Sequence, residues 1–445
     1  MEKETAEKAL KKGSLSRRDM KLAGAGFTAF FLIMLSYYIL KATRGGIFIS
    51  AWGTEYIPHF LILNAIVSFT ASALFGFLSD KLKPNQLIAS ILGFFCLNLL
   101  TFWGLFKVLS MNKTPGSSTL VVSGIYTLWI GFFSLFTVTP FWSVVTSVFK
   151  ASSGKLLFGF IGIGGTMGAI TGSKIVSLLA SQIGSENLLL LSAFTLALVI
   201  PCVLYMYKSV EDDGDGIQKT LIDKDVPPDE AVKAEKTGKG ALAGFFLIST
   251  RPYVRLIAAI VIISTFSIAI VDYKVQELVG SANLGKDQMT AFFAEVYFNV
   301  NLISIGTHIV TPIVLHILGM RAALSILPVV LLAGSSIIFK VESLEFISVI
   351  FAIILALHYS ISQISKELLY VPCEEAIRYK AKSFIDTFGY RLGPVLSASL
   401  MLVTAKLGYP WLLLPALIII TVLWLYIISR VSKEFEKVAD NTKNN

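Results

Sequence analysis

The 445-residue chain is 55% hydrophobic and only 15% charged, with mean hydropathy +0.73. That is too little polar material to surround a soluble core, so much of the surface must face lipid. A net charge of +9 could suit nucleic acid, but the lysines and arginines are sorted by segment instead of massed in one patch, which is the signature of membrane topology. The lipid bilayer is therefore the expected partner, and nucleic acid is not.

Apolar runs long enough to cross ~30 Å of hydrocarbon at ~1.5 Å per residue recur along the whole chain. Twelve are expected, at 20–40, 57–79, 84–106, 120–149, 156–182, 188–207, 254–271, 289–317, 322–339, 346–364, 384–405 and 411–429. The first follows Lys11, Lys12, Arg17, Arg18 and Lys21 and lacks a small-residue cleavage site, so it reads as a retained span and not as a signal peptide. Placing the amino terminus inside puts most of the basic residues on the cytoplasmic side, and both termini are then cytoplasmic. The expected class is an all-α, multi-pass membrane protein, with the bacterial inner membrane as the expected location.

Between 208 and 250 the apolar pattern stops, and the stretch carries Glu211-Asp212-Asp213-Gly214-Asp215-Gly216 and a Pro227-Pro228 pair. Such composition predicts a solvated cytoplasmic linker. The run lacks the spacing and closing Glu of a calcium loop. The chain thus divides into a six-helix bundle at 1–207, a linker at 208–250 and a second six-helix bundle at 251–445. Six spans on each side of one linker suggest a duplicated bundle that rocks about a site near the bilayer midplane. Weak internal matches agree: the stretch from Ser36 to Lys41 lies over that from Ser267 to Asp272, and Lys155 to Gly162 lies over Lys382 to Gly389.

Ionisable groups inside hydrocarbon cost at least ~2.5 kcal/mol each, so those that persist line a cavity, pair or snorkel. Arg391, about eight residues into the eleventh span, is too deep to snorkel easily. Asp386, five residues earlier, falls about 140° away on an ideal helix, which predicts separate faces: Arg391 toward a cavity, Asp386 toward an inner gate. Lys174 lies deep in the fifth span. Lys41 and Arg44 close the first, and Asp272 and Lys274 close the seventh. If those two helices continue past the apolar runs, the four charges line a pathway; if they do not, the charges are interfacial anchors. Glu295 and Asn299 add hydrogen-bonding capacity in the eighth span. The excess of cations favours an anionic substrate.

The fifth span holds Gly164, Gly168 and Gly172 at intervals of four, a spacing that lets two helices approach closely. With Met167 in the third glycine position of Gly162-x-Gly164-x-x-Gly, and with neither a preceding strand nor a Gly-Lys-Ser/Thr, it is not a nucleotide loop. The three cysteines and four histidines are scattered, which indicates no disulfide, metal site or resident cofactor. No Ser-His-Asp or Cys-His cluster supports an enzyme.

Gly76-Phe77-Leu78-Ser79-Asp80-Lys81 resembles the Gly-x-x-x-Asp-basic turn between the second and third helices of major facilitator transporters. That likeness assigns gating roles to Asp80 and Lys81. A longer resemblance runs from His358-Tyr359-Ser360 through Lys366-Glu367-Leu368-Leu369-Tyr370-Val371-Pro372 to Lys380-Ala381-Lys382, Ile385-Asp386 and Arg391-Leu392-Gly393. It is similar to the signature of the nucleotide transporter (ATP/ADP translocase) family of plastids and intracellular bacteria. The resemblance implies a major-facilitator-like carrier exchanging nucleotides. Arg44 stands where the family keeps a first-helix lysine, and Lys366, Glu367, Asp386 and Arg391 match directly. Gly45, Thr127, Pro394, His358 and Gln363 stand where the family carries charged residues.

The expected substrate-binding set is therefore Lys41, Arg44, Lys174, Lys274, Glu295, Asn299 and Arg391, and the expected gating set is Asp80, Lys81, Lys366, Glu367 and Asp386. The leading expectation is a secondary carrier of nucleotides or a related anionic metabolite working by alternating access. A proton-coupled or facilitative carrier for another solute, with Asp272 or Glu295 as proton site, and a non-transporting sensor or scaffold remain as alternatives.

Overall fold

A computed structural model describes residues 17–81, 84–110, 116–149, 151–211, 239–374 and 377–443. Every regular element among them is helical. In hydrocarbon no water satisfies backbone N–H and C=O groups, and the helix satisfies them within one segment. Serine and threonine hydroxyls obey the same constraint by bonding back one turn, as Thr137 does to Phe133 O at 2.6 Å and Thr421 to Leu417 O at 2.7 Å.

The first half comprises α1 (Arg17–Trp52), α2 (Ile57–Lys81), α3 (Pro84–Ser110), α4 (Ser117–Val148), α5 (Ala151–Ile183), α6 (Ser185–Ala197) and α7 (Val199–Glu211). After the residues not described comes α8 (Lys239–Thr250), a helix within the stretch expected as linker, then α9 (Pro252–Ser281) and α10 (Lys286–Ile338). A straight helix of 53 residues would reach ~80 Å, more than twice the hydrocarbon thickness. The chain turns at Gly319 (φ 76, ψ 177), in the left-handed region that glycine alone enters without strain. The expected eighth and ninth spans are thus the two arms of α10. Next come α11 (Leu344–Leu357), a π-helical turn at His358–Ser362 and α12 (Gln363–Leu368). A π/α mosaic over Ile377–Gly389, containing the single turn α13 (Lys382–Phe384), leads into α14 (Tyr390–Lys406), and α15 (Leu413–Lys443) ends the fold.

Nine helices among the described residues are long and apolar enough to cross a membrane. Large apolar side chains stand in the open: Phe94, Leu97, Ile309, Ile317 and Trp411 are each more than half exposed. Patches of that kind would drive a soluble protein to aggregate, whereas in lipid they are the solvated surface.

Two units emerge from the contacts, one drawn from Met1–Ala51, Ser68–Lys224 and Gly285–Phe298, the other from Trp52–Val67, Asp225–Leu284 and Asn299–Asn445. The core of the first is aromatic. Phe30 stacks on Phe141 with centroids 5.0 Å apart, and Trp129 meets the edges of Phe95 at 5.2 Å and Phe102 at 5.3 Å. Along its seam, α1 and α5 nearly touch backbone to backbone. A Cβ added at Gly164 would stand 2.6 Å from Phe27 O, and one at Gly172 would stand 2.6 Å from Leu35 O, with Gly168 against Phe31 between them. The glycine stripe is therefore a packing surface for Phe27, Phe31 and Leu35 on one face of α1. In the second unit α9 packs on α14 and α15, and a Cβ at Gly393 would stand 2.6 Å from Ile262 O, so α9 and α14 repeat the close crossing of α1 and α5.

Candidate functional site

Both α1 and α9 run well beyond their apolar stretches, to Trp52 and Ser281. Lys41, Arg44, Asp272 and Lys274 therefore lie inside helices, not at their ends. The apolar window stops early because these charges dilute it, while the backbone stays helical.

In the first unit, Tyr37, Lys41 and Arg44 are spaced by four and three residues and form one stripe of α1. Lys41 Nζ lies over the ring of Tyr297 at 4.2 Å and of Tyr38 at 5.2 Å, an arrangement that holds an ammonium group by the negative face of each ring. Arg44 is half-buried beside Tyr37 and Tyr126, and among the described residues no carboxylate pairs with it. Thr43, buried on the adjoining face, is bonded to the Tyr126 hydroxyl at 2.7 Å. Lys174 of α5 pairs with Glu295 of α10 at 3.2 Å, with Nζ 4.7 Å from the Phe298 ring centroid. Their side chains are 41% and 42% exposed, so the pair stays open to a ligand.

The second unit gathers the signature residues. Lys366 is 2% exposed and donates to the Tyr390 hydroxyl at 3.2 Å; that hydroxyl in turn donates to Gln363 Oε1 at 2.7 Å. Gln363 reaches Glu367 at 3.3 Å, and Glu367 accepts Lys382 at 2.6 Å. Asp386 acts electrostatically on Lys366 and Lys382. Lys366, Glu367 and Asp386 are thus brought together across α12 and the mosaic before α14, joined by Lys382 and Tyr390, which sequence reasoning had not assigned. Lys382 lies in the Lys-x-Lys stretch and Tyr390 immediately precedes Arg-Leu-Gly, so the resemblance marked the segment without ranking these positions.

Arg391 donates to Thr387 O at 2.8 Å, in the π-helical turn that leads into α14. The ideal-helix angle separating it from Asp386 does not apply, because Ile385–Gly389 is π-helical and its i→i+5 bonding winds more residues into the turn. Lys274 is bonded to Glu277 at 2.7 Å and lies over the Phe339 ring, while Asp272 accepts from Gln276 at 2.9 Å. Asn299 begins the stretch of α10 that belongs to the second unit. Of the expected binding residues, Lys41, Arg44, Lys174 and Glu295 fall in the first unit and Lys274, Asn299 and Arg391 in the second. Asp80 and Lys81 close α2, but their side chains lie outside those described. No group of three or more His, Cys, Asp or Glu among the described residues is placed to hold a metal ion.

The solved structures most like this fold include a bacterial homologue of the iron transporter ferroportin, inward-facing, at TM-score 0.64 and 12% identity, covering 93% of this chain and 100% of that one. A variant of the nucleoside transporter NupG superposes at TM-score 0.63 and 16% identity, covering 92% and 99%. The fold is that of the major-facilitator carriers. By sequence, the ADP,ATP carrier protein 1 of Rickettsia typhi is 21% identical over 483 aligned positions spanning 93% of both chains. The sequence profile of the TLC ATP/ADP transporter family matches residues 123–435, well over half the chain. This chain therefore belongs to the TLC ATP/ADP transporter family and is a multi-pass membrane transporter, not an enzyme.

Proposed function

We propose that the protein exchanges nucleotides of the ATP/ADP type across a bacterial inner membrane by alternating access, with twelve spans arranged six and six and both termini in the cytoplasm. The observation that carries this reading is Arg44: a half-buried guanidinium inside α1, on one stripe with Tyr37 and Lys41 and without a carboxylate partner among the described residues. A cation so placed is relieved by a bound anion, and its planar fork suits phosphate oxygens. The carrier names of the Rickettsia relatives agree with a nucleotide as that anion.

Phosphates would meet Arg44 and Lys41 on α1, and Lys174 is a further cationic group of the first unit; Lys274 and Arg391 are proposed as the cationic contacts that the second unit contributes by itself. Glu295 and Asn299 would complete the polar lining, and Tyr297 would offer a ring to the base or to Lys41. Lys366, Glu367 and Asp386, and separately Asp80 and Lys81, would work the cytoplasmic gate; for the first three the support is the hydrogen-bonded run Lys366–Tyr390–Gln363–Glu367, which ends in the Glu367–Lys382 ion pair. The close α1/α5 and α9/α14 crossings support two related bundles.

Uptake of labelled ATP and ADP into proteoliposomes, with and without internal nucleotide, tests the proposal. Uptake that needs internal nucleotide and falls sharply in Arg44→Ala is expected. No uptake of any nucleotide by a folded, monodisperse preparation would reject it.

A further inference from the structure

We propose that the junction between the first residues of α6 and the first turn of α10 is a latch that keeps one end of the first unit closed, and that its release permits movement without counter-substrate. The inference rests on the alternating-access reading above and concerns residues to which that reading gives no role.

A helix start leaves N–H groups in need of acceptors, commonly supplied by a capping side chain just before it. The residue before α6 is Gly184, at φ 85, with no side chain to offer. Asp287 supplies the cap instead from far along the chain: its Oδ1 accepts from Ser185 N at 2.7 Å and from Ser185 Oγ at 2.6 Å. The free energy of capping α6 is therefore available only while α10 is docked. Beside this cap the charges run the other way, with Lys286 of α10 paired to Glu186 of α6. A carboxylate on a helix start next to an ammonium on a carboxylate makes a two-point pattern that fixes register, because sliding by one residue would set like charges together.

One turn further in, Ser185 Oγ, its own proton given to Asp287, accepts from Thr290 Oγ1 at 2.9 Å, and both residues are fully buried. A Cβ on Gly46 would stand 2.8 Å from Thr290 N, so the end of α1 also lies against this turn. Residues 286 or 287, 290, 293 and 297 recur at helical spacing along one face of α10, and on that face Phe293 covers Gly45 and Tyr297 holds Lys41. For this end to open, 285–298 must part from α1, α5 and α6. The polar contacts at the rim can be exchanged for water, so parting is reversible, whereas the apolar contacts deeper in follow only after them.

The test is the rate at which a membrane-impermeant maleimide, added from each side in turn, labels Ala294→Cys in a background lacking the native cysteines. Ala294 is fully buried on this segment and gains only a sulfur. Adding Asp287→Ala should raise the labelling rate about tenfold or more, the effect of losing charge-assisted hydrogen bonds. Ser185→Ala, which keeps the backbone bond, should raise it less. Glu186→Lys should raise it, and Glu186→Lys with Lys286→Glu should bring it back. In exchange assays Asp287→Ala should let preloaded substrate leave without external substrate. Equal labelling of the parent, Asp287→Ala and Ser185→Ala, or a charge swap that fails to restore the parent rate, would overturn the proposal. If Asp287→Ala does not fold, Ser185→Ala and the swap decide. Labelling needs no substrate, so a chain that shows this pattern yet moves no nucleotide rejects the proposed substrate and keeps the latch.

Discussion

Adding a single methyl group to the α1/α5 seam should do more damage than adding one elsewhere on the same helix. Alanine at Gly172 or Gly164 would set a Cβ 2.6 Å from a backbone oxygen of α1, whereas ordinary contact begins at 3.4 Å. The helices would have to part by the difference, about 0.8 Å, because the obstructing atom is main chain and cannot rotate away. A gap of that size forfeits a quarter to a half of each dispersion contact along the seam, and overpacking of this kind costs about 1–3 kcal/mol. The internal control is Gly162, where an added Cβ has nothing within 4 Å, so Gly162→Ala should be neutral or gain a few tenths of a kcal/mol from helix propensity. Thermal unfolding in detergent measures both, at roughly 2–4 °C per kcal/mol for a unit of about 200 residues. Transport should fall with Gly172→Ala even where the protein survives. Equal melting temperatures for Gly172→Ala and Gly162→Ala would refute the reasoning.

Three further outcomes are expected. Arg44→Lys should retain much of the uptake, while Arg44→Ala should weaken apparent substrate affinity by about tenfold or more, the loss of one to two charge-assisted bonds; concentration-dependent uptake distinguishes them, and an unchanged KM for Arg44→Ala would remove Arg44 from the site. A double-mutant cycle on Lys174→Gln and Glu295→Gln, read by thermal unfolding, should give a coupling of about 0–1 kcal/mol, since the pair is not sealed in the protein core; a coupling above about 2 kcal/mol would mean that the pair is sealed. Cys373 lies in the turn after α12, bonded to Leu369 O at 3.6 Å, and burial pushes its thiol up to about 11. Only the thiolate reacts, so alkylation should be slow at pH 8 and climb about tenfold per pH unit toward pH 11; a plateau near pH 9 would count against it.

Much of this architecture can be read from residue order. The glycine stripe at 164, 168 and 172 announces a helix crossing because only a missing side chain permits that approach, and the signature from His358 to Gly393 marks where the second unit concentrates its charges. What cannot be read is set by contacts distant in sequence or by local winding. Lys41 and Arg44 look like span ends because hydropathy averages them with their neighbours, while the backbone continues for two more turns. The π turns around 358–362 and 385–389 change which side chains share a face, and no residue type specifies such a turn. Ser185 and Asp287 each look like ordinary polar residues at span ends; their partnership exists only once α10 has returned to α6.

The single-residue turn at Gly319 bears on how the chain enters the bilayer during synthesis. The two arms of α10 are joined through one non-helical residue, and the nearest charge is Arg321, two residues on, so no hydrophilic loop separates them. They must enter the lipid as a pair, the second arm following before the first has been released far from it. Topology reporters or epitope tags inserted at 319 would force apart what enters together, whereas the exposed turn at 283–285 offers room for them.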